Sequence, residues 1–382
     1  MRGRRLFGVV AGIAATVAAG IALTLAGCQS FGEHASGERL ARMQRSPEWR
    51  DDRFRNPQPM WNDMGRAISH GFSGVPDNEP SAPVPVVRTD PALLASAPAS
   101  GLRVTWFGHS STLLEIDGVR VLTDPIWSDR ASPFEWIGPR RWYPPTIALA
   151  QLPPIDAVLI SHDHYDHLDW ATIVELDWWQ STRVGALALT LVPARHASGR
   201  VNPRSGVTLW GGFALVGERH RVYYSGDTGL FDAMTEIGRR FGPFDVALIE
   251  AGQYDAAWPD WHLGPEQSVL SARRVDAKAL IPVHWGLFRL APHGWTEPVE
   301  RVLAAARCTG LPVITPRPGQ AVEPTALRPG DSTRWWPDAH WSTAARTPIV
   351  ATTDGVDAHR VALPACPTAS AAASGAQAVS ER

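Results

Sequence analysis

Between residues 101 and 322 short apolar runs alternate with polar breaks, a pattern of many strands rather than of long helices. Val104–Phe107 and Thr112–Ile116 read as strands, and Asp117-Gly118 marks a hairpin leading into Val119–Thr123. Ala157–Ile160 is an apolar run suited to a buried strand. Leu187–Val192, Val207–Leu209, Phe213–Val216 and Val222–Tyr224 extend the series. The pattern then changes. Leu230–Phe241 has helical spacing, Val246–Ile249 is strand-like, and Gly264-Pro265-Glu266 opens a helix with proline in its first position. Leu280–Val283 is a strand, and Thr296 is placed to cap a helix through Cys308. Strands first, then alternating helices and strands, predict packed sheets with helices outside.

The flanks differ from this centre. Residues 29–76 are polar and Arg-rich, with a helix expected near Glu38–Gln44, and 77–100 form a Pro/Ala/Ser connector. The pattern decays after about residue 323, and 366–382 has the composition of a disordered tail. At the other end, Arg2, Arg4 and Arg5 precede 20 uncharged residues, 6–25, in the manner of a secretory signal. The segment closes on Leu25-Ala26-Gly27-Cys28, which resembles the lipobox of bacterial lipoproteins. That resemblance implies cleavage before Cys28, lipid modification of its thiol, and anchorage to a membrane of the bacterial envelope facing the periplasm or exterior. An uncleaved anchor is the alternative, since 20 apolar residues can span a bilayer. The alanines and glycines make a weak span, and the placing of Cys28 favours the lipoprotein. Arg4-Arg5-Leu6-Phe7 also faintly resembles a twin-arginine signal. The expected organisation is a signal peptide at 1–27, a polar strap and linker at 28–100, one catalytic domain at 101–322 and an extension at 323–382.

Composition narrows the function. With 44% hydrophobic and 19% charged residues among 382, the chain is no wholly disordered protein. Lys and Arg number 36 against 38 Asp and Glu, and losing the three leader arginines takes the formal charge from −2 to −5. An acidic mature chain without a basic run argues against nucleic acid as a partner. Besides Cys28 only Cys308 and Cys366 are present, able to pair in an oxidising compartment, and no C-x-x-C zinc pattern exists. Among 17 tryptophans, Trp258, Trp261, Trp285 and Trp295 read as core, with an apolar groove for acyl chains as the alternative.

The strongest chemical signal is Ser161-His162-Asp163-His164-Tyr165-Asp166-His167-Leu168-Asp169, directly after the apolar run 157–160. A tight loop at a strand end can aim several imidazoles and a carboxylate at one place, a ligand set suited to Zn²⁺ and related ions. One ion cannot comfortably take all of them from so short a loop, so the spacing suggests two. His196, Asp227 and His284 each follow another expected strand and repeat the same strand-then-ligand geometry.

Together these residues resemble the metallo-β-lactamase superfamily, whose H-x-H-x-D-H motif stands here as His162, His164, Asp166 and His167. The resemblance implies an α/β fold, the αββα sandwich, as a single catalytic domain. It further implies one ion on His162, His164 and His196, a second on Asp166, His167 and His284, and Asp227 bridging them. Asp124-Pro125, Gly138-Pro139-Arg140-Arg141, Glu175-Leu176-Asp177-Trp178-Trp179, Phe241-Gly242-Pro243-Phe244-Asp245 and His284-Trp285-Gly286 look like the branch of N-acylphosphatidylethanolamine-hydrolysing phospholipases D, as does Arg53-Phe54-Arg55-Asn56-Pro57 upstream. One departure stands out. The branch carries a helix, a strand and another helix between Asp169 and the Glu-Leu-Asp-Trp-Trp block, where this chain has only Trp170–Val174. No ligand is lost with that segment, but sheet edge and helical cover are.

The resulting expectation is a dinuclear metal-dependent hydrolase, a phosphodiesterase of phospholipase D type acting on phospholipid-like substrates. A hydroxide shared by the two ions is the nucleophile, and Asp166 is the catalytic residue that orients it and accepts its proton. The ions are read as Zn²⁺, with Fe or Mn able to occupy such mixed sites. His109, His262, Tyr254 and His293 are candidate substrate-binding residues. A lactone or thioester hydrolase on the same fold is the alternative, as is a non-catalytic, metal-stabilised envelope lipoprotein, given the shortened segment.

Overall fold

The computed structural model describes residues 35–56, 58–71, 74–168, 175–200, 206–328 and 331–363. The leader at 1–27, Cys28, the shortened stretch Trp170–Val174 and the tail 366–382 lie outside the described residues. Among the described residues no helix is long and apolar enough to cross a membrane.

In chain order the elements are helix α1 (Gly37–Met43), the short strands β1 (Trp49–Arg50) and β2 (Arg53–Phe54), and helices α2 (Met64–Gly71) and α3 (Pro91–Ala95). Strands β3 (Leu102–Gly108), β4 (Ser111–Ile116), β5 (Val119–Thr123) and β6 (Ala157–Leu159) follow. Next come β7 (Ser181–Val184), β8 (Leu187–Val192), β9 (Gly212–Val216), β10 (Arg221–Tyr224), α4 (Ala233–Phe241) and β11 (Val246–Glu250). The chain continues with α5 (Pro265–Arg274), β12 (Leu280–Val283), α6 (Glu297–Thr309) and β13 (Ala321–Val322).

These strands make two main sheets. One has the order β13-β3-β4-β5-β6 and the other β12-β11-β10-β9-β8-β7. Chain neighbours give the antiparallel pairs except β13–β3, which joins distant segments, and β5–β6, β10–β11 and β11–β12 are parallel. Asp117 and Gly118 both take positive φ, 49° and 86°, as the tight turn between β4 and β5 requires. Alternation along each strand decides the layers. Val222 and Tyr224 face the core between the sheets, whereas Tyr223 faces the helices; Leu248 and Ala247 divide in the same way. In the first sheet Leu114 and Val121 point inward, while Leu113 and Leu122 point outward to Leu94 of α3 and to Ile147. The inner core therefore joins both sheets. Met234, Ile237, Val269, Ala272, Val302 and Ala306 from α4, α5 and α6 cover the outer face of the second sheet. The result is the expected α/β sandwich, with loops and α3 in place of long helices over the first sheet.

Several details depart from the sequence reading. Val207–Leu209 is no strand: these residues are half-buried, and the Thr208 carbonyl accepts from the Ser198 hydroxyl instead of from a neighbouring strand. Strand β7 was hidden because Ser181, Thr182 and Arg183 carry no apolar signal, as befits an edge strand with alternately exposed positions. Thr296 precedes α6 with a helical backbone and no side-chain cap bond, so Pro298 and Glu297 open that helix instead. The lapse of pattern after 323 also conceals packing. Trp335 stacks on Trp285, which stacks on Trp106, with centroids 5.5 and 5.4 Å apart, and Trp336, Ile349 and Ala351 are buried. Trp285 and Trp295 are core as expected, while Trp258 and Trp261 are half-buried. Cys308 is disulfide-bonded, to a partner outside the described residues.

Candidate metal centre

Seven strands deliver polar side chains from their C-terminal ends to one edge of the sandwich. His109 follows β3, Asp124 follows β5, and the loop 161–168 follows β6. His196 lies beyond β8, Asp227 beyond β10, Glu250 ends β11, and His284 follows β12. His109, Asp124 and His284 are non-glycine residues with positive φ, 51°, 34° and 65°, so the chain bends sharply as it leaves each strand. Gly226, with φ 56°, makes a close approach possible. A Cβ there would lie 2.6 Å from the Gly211 carbonyl oxygen and 2.7 Å from Ser161 Cβ, so glycine lets the Asp227 turn sit against the histidine loop.

The side chains fall into two neighbouring groups. His162, His164 and His196 offer nitrogens within 4.8 Å of one another, and His109, Asp166, His167 and His284 form a second such set. Asp227 lies between them. Its Oδ2 is 3.2 Å from His167 Nε2, 3.8 Å from His162 Nε2 and 3.9 Å from His196 Nε2, while Oδ1 is 3.2 Å from His284 Nδ1. The structure thus brings together all seven side chains that the sequence reading expects as ligands.

Four of these imidazoles are held through Nδ1, and the Nδ1 of the fifth, His164, lies 2.8 Å from His162 Nε2. His162 Nδ1 lies 2.9 Å from Ser161 Oγ, and His167 Nδ1 lies 2.7 Å from Asp124 Oδ2. His196 Nδ1 donates to the Trp261 carbonyl oxygen at 2.9 Å, and His284 Nδ1 lies 3.1 Å from Ser110 Oγ. In contrast, the buried Nε2 atoms of His167, His196 and His284, and Oδ1 of Asp227, have no hydrogen-bond partner. Buried polar atoms are rarely left so unless something else satisfies them. Imidazoles oriented from the rear with orphaned lone pairs in front fit a divalent cation.

The electrostatics agree. Burial first, and then the neighbouring histidines, push His162, His196 and His284 well below the ordinary histidine range, which keeps their ligand nitrogens neutral. Burial alone would raise the Asp166 carboxyl. The charge of His167 and a hydrogen bond from His109 overcome it and hold the carboxyl well below its usual range. Asp227 behaves alike: burial opposes, but His167 and His284 keep it ionised. His167 itself is driven upward against burial by Asp227, Asp166 and Asp124. Three carboxylates around one buried imidazole demand positive charge at that spot.

The expected substrate residues separate into two pairs. His109 is fully buried and its Nε2 lies 2.7 Å from Asp166 Oδ2, so it supports that carboxylate. His262 is held through Nδ1 by the buried Glu250 at 2.7 Å, and its ring lies 5.1 Å from both His196 and His284. Burial raises Glu250 to about 7, and Glu250 in turn raises His262. Tyr254 and His293 are not brought to this cluster. They stack on each other at 4.4 Å, Tyr254 donates to Glu297 at 2.9 Å, and His293 Nε2 accepts from the Gln253 amide. Both line a separate cavity of about 810 Å³ beneath the C-terminal segment 342–361.

Sequence reasoning left Asp124 without a role, yet it is the hub behind the histidine loop. Its Oδ1 accepts from the Ser161 amide at 2.7 Å, and Oδ2 accepts from Ser161 Oγ and from Tyr224 OH, both at 2.5 Å. Glu250 and Ser110 were also missed. The one available signal was position, since Asp124, like Asp227, follows a strand directly.

Comparison with known proteins now bears on this geometry. The β-lactamase superfamily domain matches residues 119–175 and 169–285. The two pieces meet at 169–175, where the sequence reading places the absent helix, strand and helix. An uncharacterized protein of Mycobacterium tuberculosis is 44% identical over 344 residues, covering 77% of this chain and 88% of the relative. The N-acyl-phosphatidylethanolamine-hydrolyzing phospholipase D 1 of Caenorhabditis elegans is 35% identical over 240 residues, 52% of this chain and 67% of its own length. Outer membrane protein RomA of Klebsiella pneumoniae is 41% identical over 100 residues, 26% of this chain and 75% of that protein.

Proposed function

The chain belongs to the metallo-β-lactamase superfamily and is a metal-dependent hydrolase, and from that premise we propose that it is a dinuclear phosphodiesterase of phospholipase D type. The single observation that supports this best is the convergence of seven candidate ligand side chains, four of which (His167, His196, His284 and Asp227) keep a buried polar atom without a hydrogen-bond partner. In this reading His162, His164 and His196 hold one ion, Asp166, His167 and His284 hold the other, and Asp227 serves both. Zinc suits the imidazole-rich set, with Fe or Mn as the other candidates. When bound, such ions supply an activated water and positive charge against the phosphoryl oxygens.

The chain's own residues do the rest. Asp166 is the catalytic residue: kept ionised, it orients the attacking water and takes its proton, and His109 fixes the carboxylate for that task. Water adds to phosphorus, the ester bond to the leaving alcohol breaks, and the proton passes to the departing oxygen. His262, aimed by Glu250, contacts the phosphoryl group. Phospholipid-like diesters are the proposed substrates, by likeness to the phospholipase D of Caenorhabditis elegans.

The catalytic domain is read as 101–322, behind a signal at 1–27 and a strap at 28–100, with the extension 323–382 after it. Cys28 is the proposed lipid-anchor site at the cell envelope, a reading supported by the sequence of residues 25–28 and by the likeness to a Klebsiella outer membrane protein. Hydrolysis of N-acylphosphatidylethanolamine, plain phospholipids, a generic phosphodiester, a lactone and a thioester, each with and without chelator, tests the activity. Diester hydrolysis lost to chelator and restored by metal is the expected result. Turnover of the lactone or thioester alone would overturn the phosphodiesterase reading, and wild-type rates in Asp166→Ala would overturn the mechanism.

A further inference from the structure

His196 stands next to Arg195, a charged side chain with no exposed surface at all. A buried guanidinium needs partners for its donors, and here both Nη groups have them while Nε does not. Its Nη1 donates to Asp260 Oδ1 at 3.0 Å, to the Leu230 carbonyl at 3.1 Å and to the Thr352 carbonyl at 2.8 Å. Its Nη2 donates to Thr352 Oγ1 at 3.1 Å and to the Pro59 carbonyl. Asp260, equally buried, accepts from the Thr352 amide at 2.6 Å and hydroxyl at 2.5 Å, and from the Trp61 amide at 2.7 Å. The Arg195 backbone joins the same knot. Its amide donates to Thr228 Oγ1 at 2.9 Å, and its carbonyl accepts from the Gly229 amide at 2.7 Å. Gly229 admits no side chain, because a Cβ would lie 1.9 Å from the Asp260 carbonyl oxygen.

Every strand of this knot leads to a proposed ligand. Arg195 precedes His196, Thr228 and Gly229 follow Asp227, and Asp260 precedes Trp261, whose carbonyl holds His196 Nδ1. Asn56 adds a second grip on His196 itself: Oδ1 accepts from its amide at 3.2 Å, and Nδ2 donates to its carbonyl at 2.6 Å. The partners at 56–61 and at 352 come from opposite ends of the chain, outside the span 101–322.

We infer that Arg195, Asp260, Thr352 and Asn56 are positioning residues that set His196, so that the two terminal segments form part of the frame of the first ion. This rests on the metal-ligand reading above. The ion held by His162, His164 and His196 depends on the clasp directly through His196, whereas the ion at Asp166, His167 and His284 meets it only through the shared Asp227. The test is a titration of the full chain with Co²⁺ and with Zn²⁺ against a chromophoric chelator, with the Co²⁺ visible spectrum as the reporter of coordination. Wild type binds two ions. Thr352→Val, close in shape but without the hydroxyl, weakens one ion about 10–100-fold and leaves the other; Thr352→Ser restores it. Asn56→Ala, which leaves the buried ion pair intact, weakens the same ion and serves if Thr352→Val does not fold. Unchanged affinity for both ions in these variants overturns the clasp. So does a lowered melting temperature with both ions bound as in wild type. A wild-type chain that binds no ion overturns the metal-ligand reading instead.

Discussion

The two ends of the sandwich are built differently. Strands β11 and β12, parallel neighbours, are buried at every position beneath α5 and α6. Strands β6 and β7, the outer strands of their sheets, have half-exposed positions, and Val158 in β6 is 42% exposed. Buried parallel strands need covering layers on both faces. Among the described residues the second region has no such cover, beside the stretch where the sequence reading expects a segment to be missing. Yet the loop after β6 contributes four of the seven proposed ligands. What holds that loop is polar: the Asp124 carboxylate binds Ser161, His167 and Tyr224 in the protein interior. A ligand loop can therefore keep its geometry beside a trimmed edge if its anchor lies behind it rather than over it.

Asp124→Ala breaks that arrangement most severely. It leaves Ser161, His167 and Tyr224 without their acceptor, and we expect metal affinity to fall about 10–100-fold with turnover lost, read by chelator competition. If turnover and affinity survive, the anchor is not what holds the loop. On the covered side Leu248→Ala removes a fully buried side chain between the sheets and should cost about 2–5 kcal/mol in denaturant unfolding. Val158→Ser on the trimmed edge should stay within about 0.5 kcal/mol of wild type. A larger loss would mean that the edge has cover outside the described residues.

The smallest effect concerns pH. Burial would raise the Asp117 carboxyl, but the Arg219 and His220 amides and the His220 ring outweigh it and lower its pKa. A lowered carboxylate stabilises the fold above its ordinary value near 4 and loses that contribution as pH falls. The stability gap between wild type and Asp117→Asn should be full at neutral pH and shrink as pH drops below about 4. A gap that widened there would reverse the assignment.

The residues proposed as ligands were legible as a converging set because they follow strands and because the loop 161–168 crowds four of them within a few positions. The strands were legible where apolar residues run or alternate, and β7 was not, because an edge strand needs no apolar face. Asp124 was left without a role because its partners lie 37, 43 and 100 residues away. The misplacement of Tyr254 and His293 has a similar origin. Closeness in sequence to His284 and Glu250 says nothing about which face of the backbone a side chain leaves. Trp335, Trp336 and Thr352 sit in a segment without regular structure, where no periodicity marks what is buried.

The turn at Asp117 has one more consequence. Its carboxylate bonds the Arg219 and His220 amides and the His220 ring, which fastens the β4–β5 hairpin of one sheet to the β9–β10 hairpin of the other. At the opposite end the His284 amide donates to the His109 carbonyl at 2.9 Å, and the His109 amide to the Trp285 carbonyl at 3.2 Å. The sheets are thus bolted together at both ends and have no hinge about which to open like a book. Slow motion on the microsecond-to-millisecond scale then belongs to the loops at the ligand edge, and a substrate enters by displacing those loops rather than by parting the sheets.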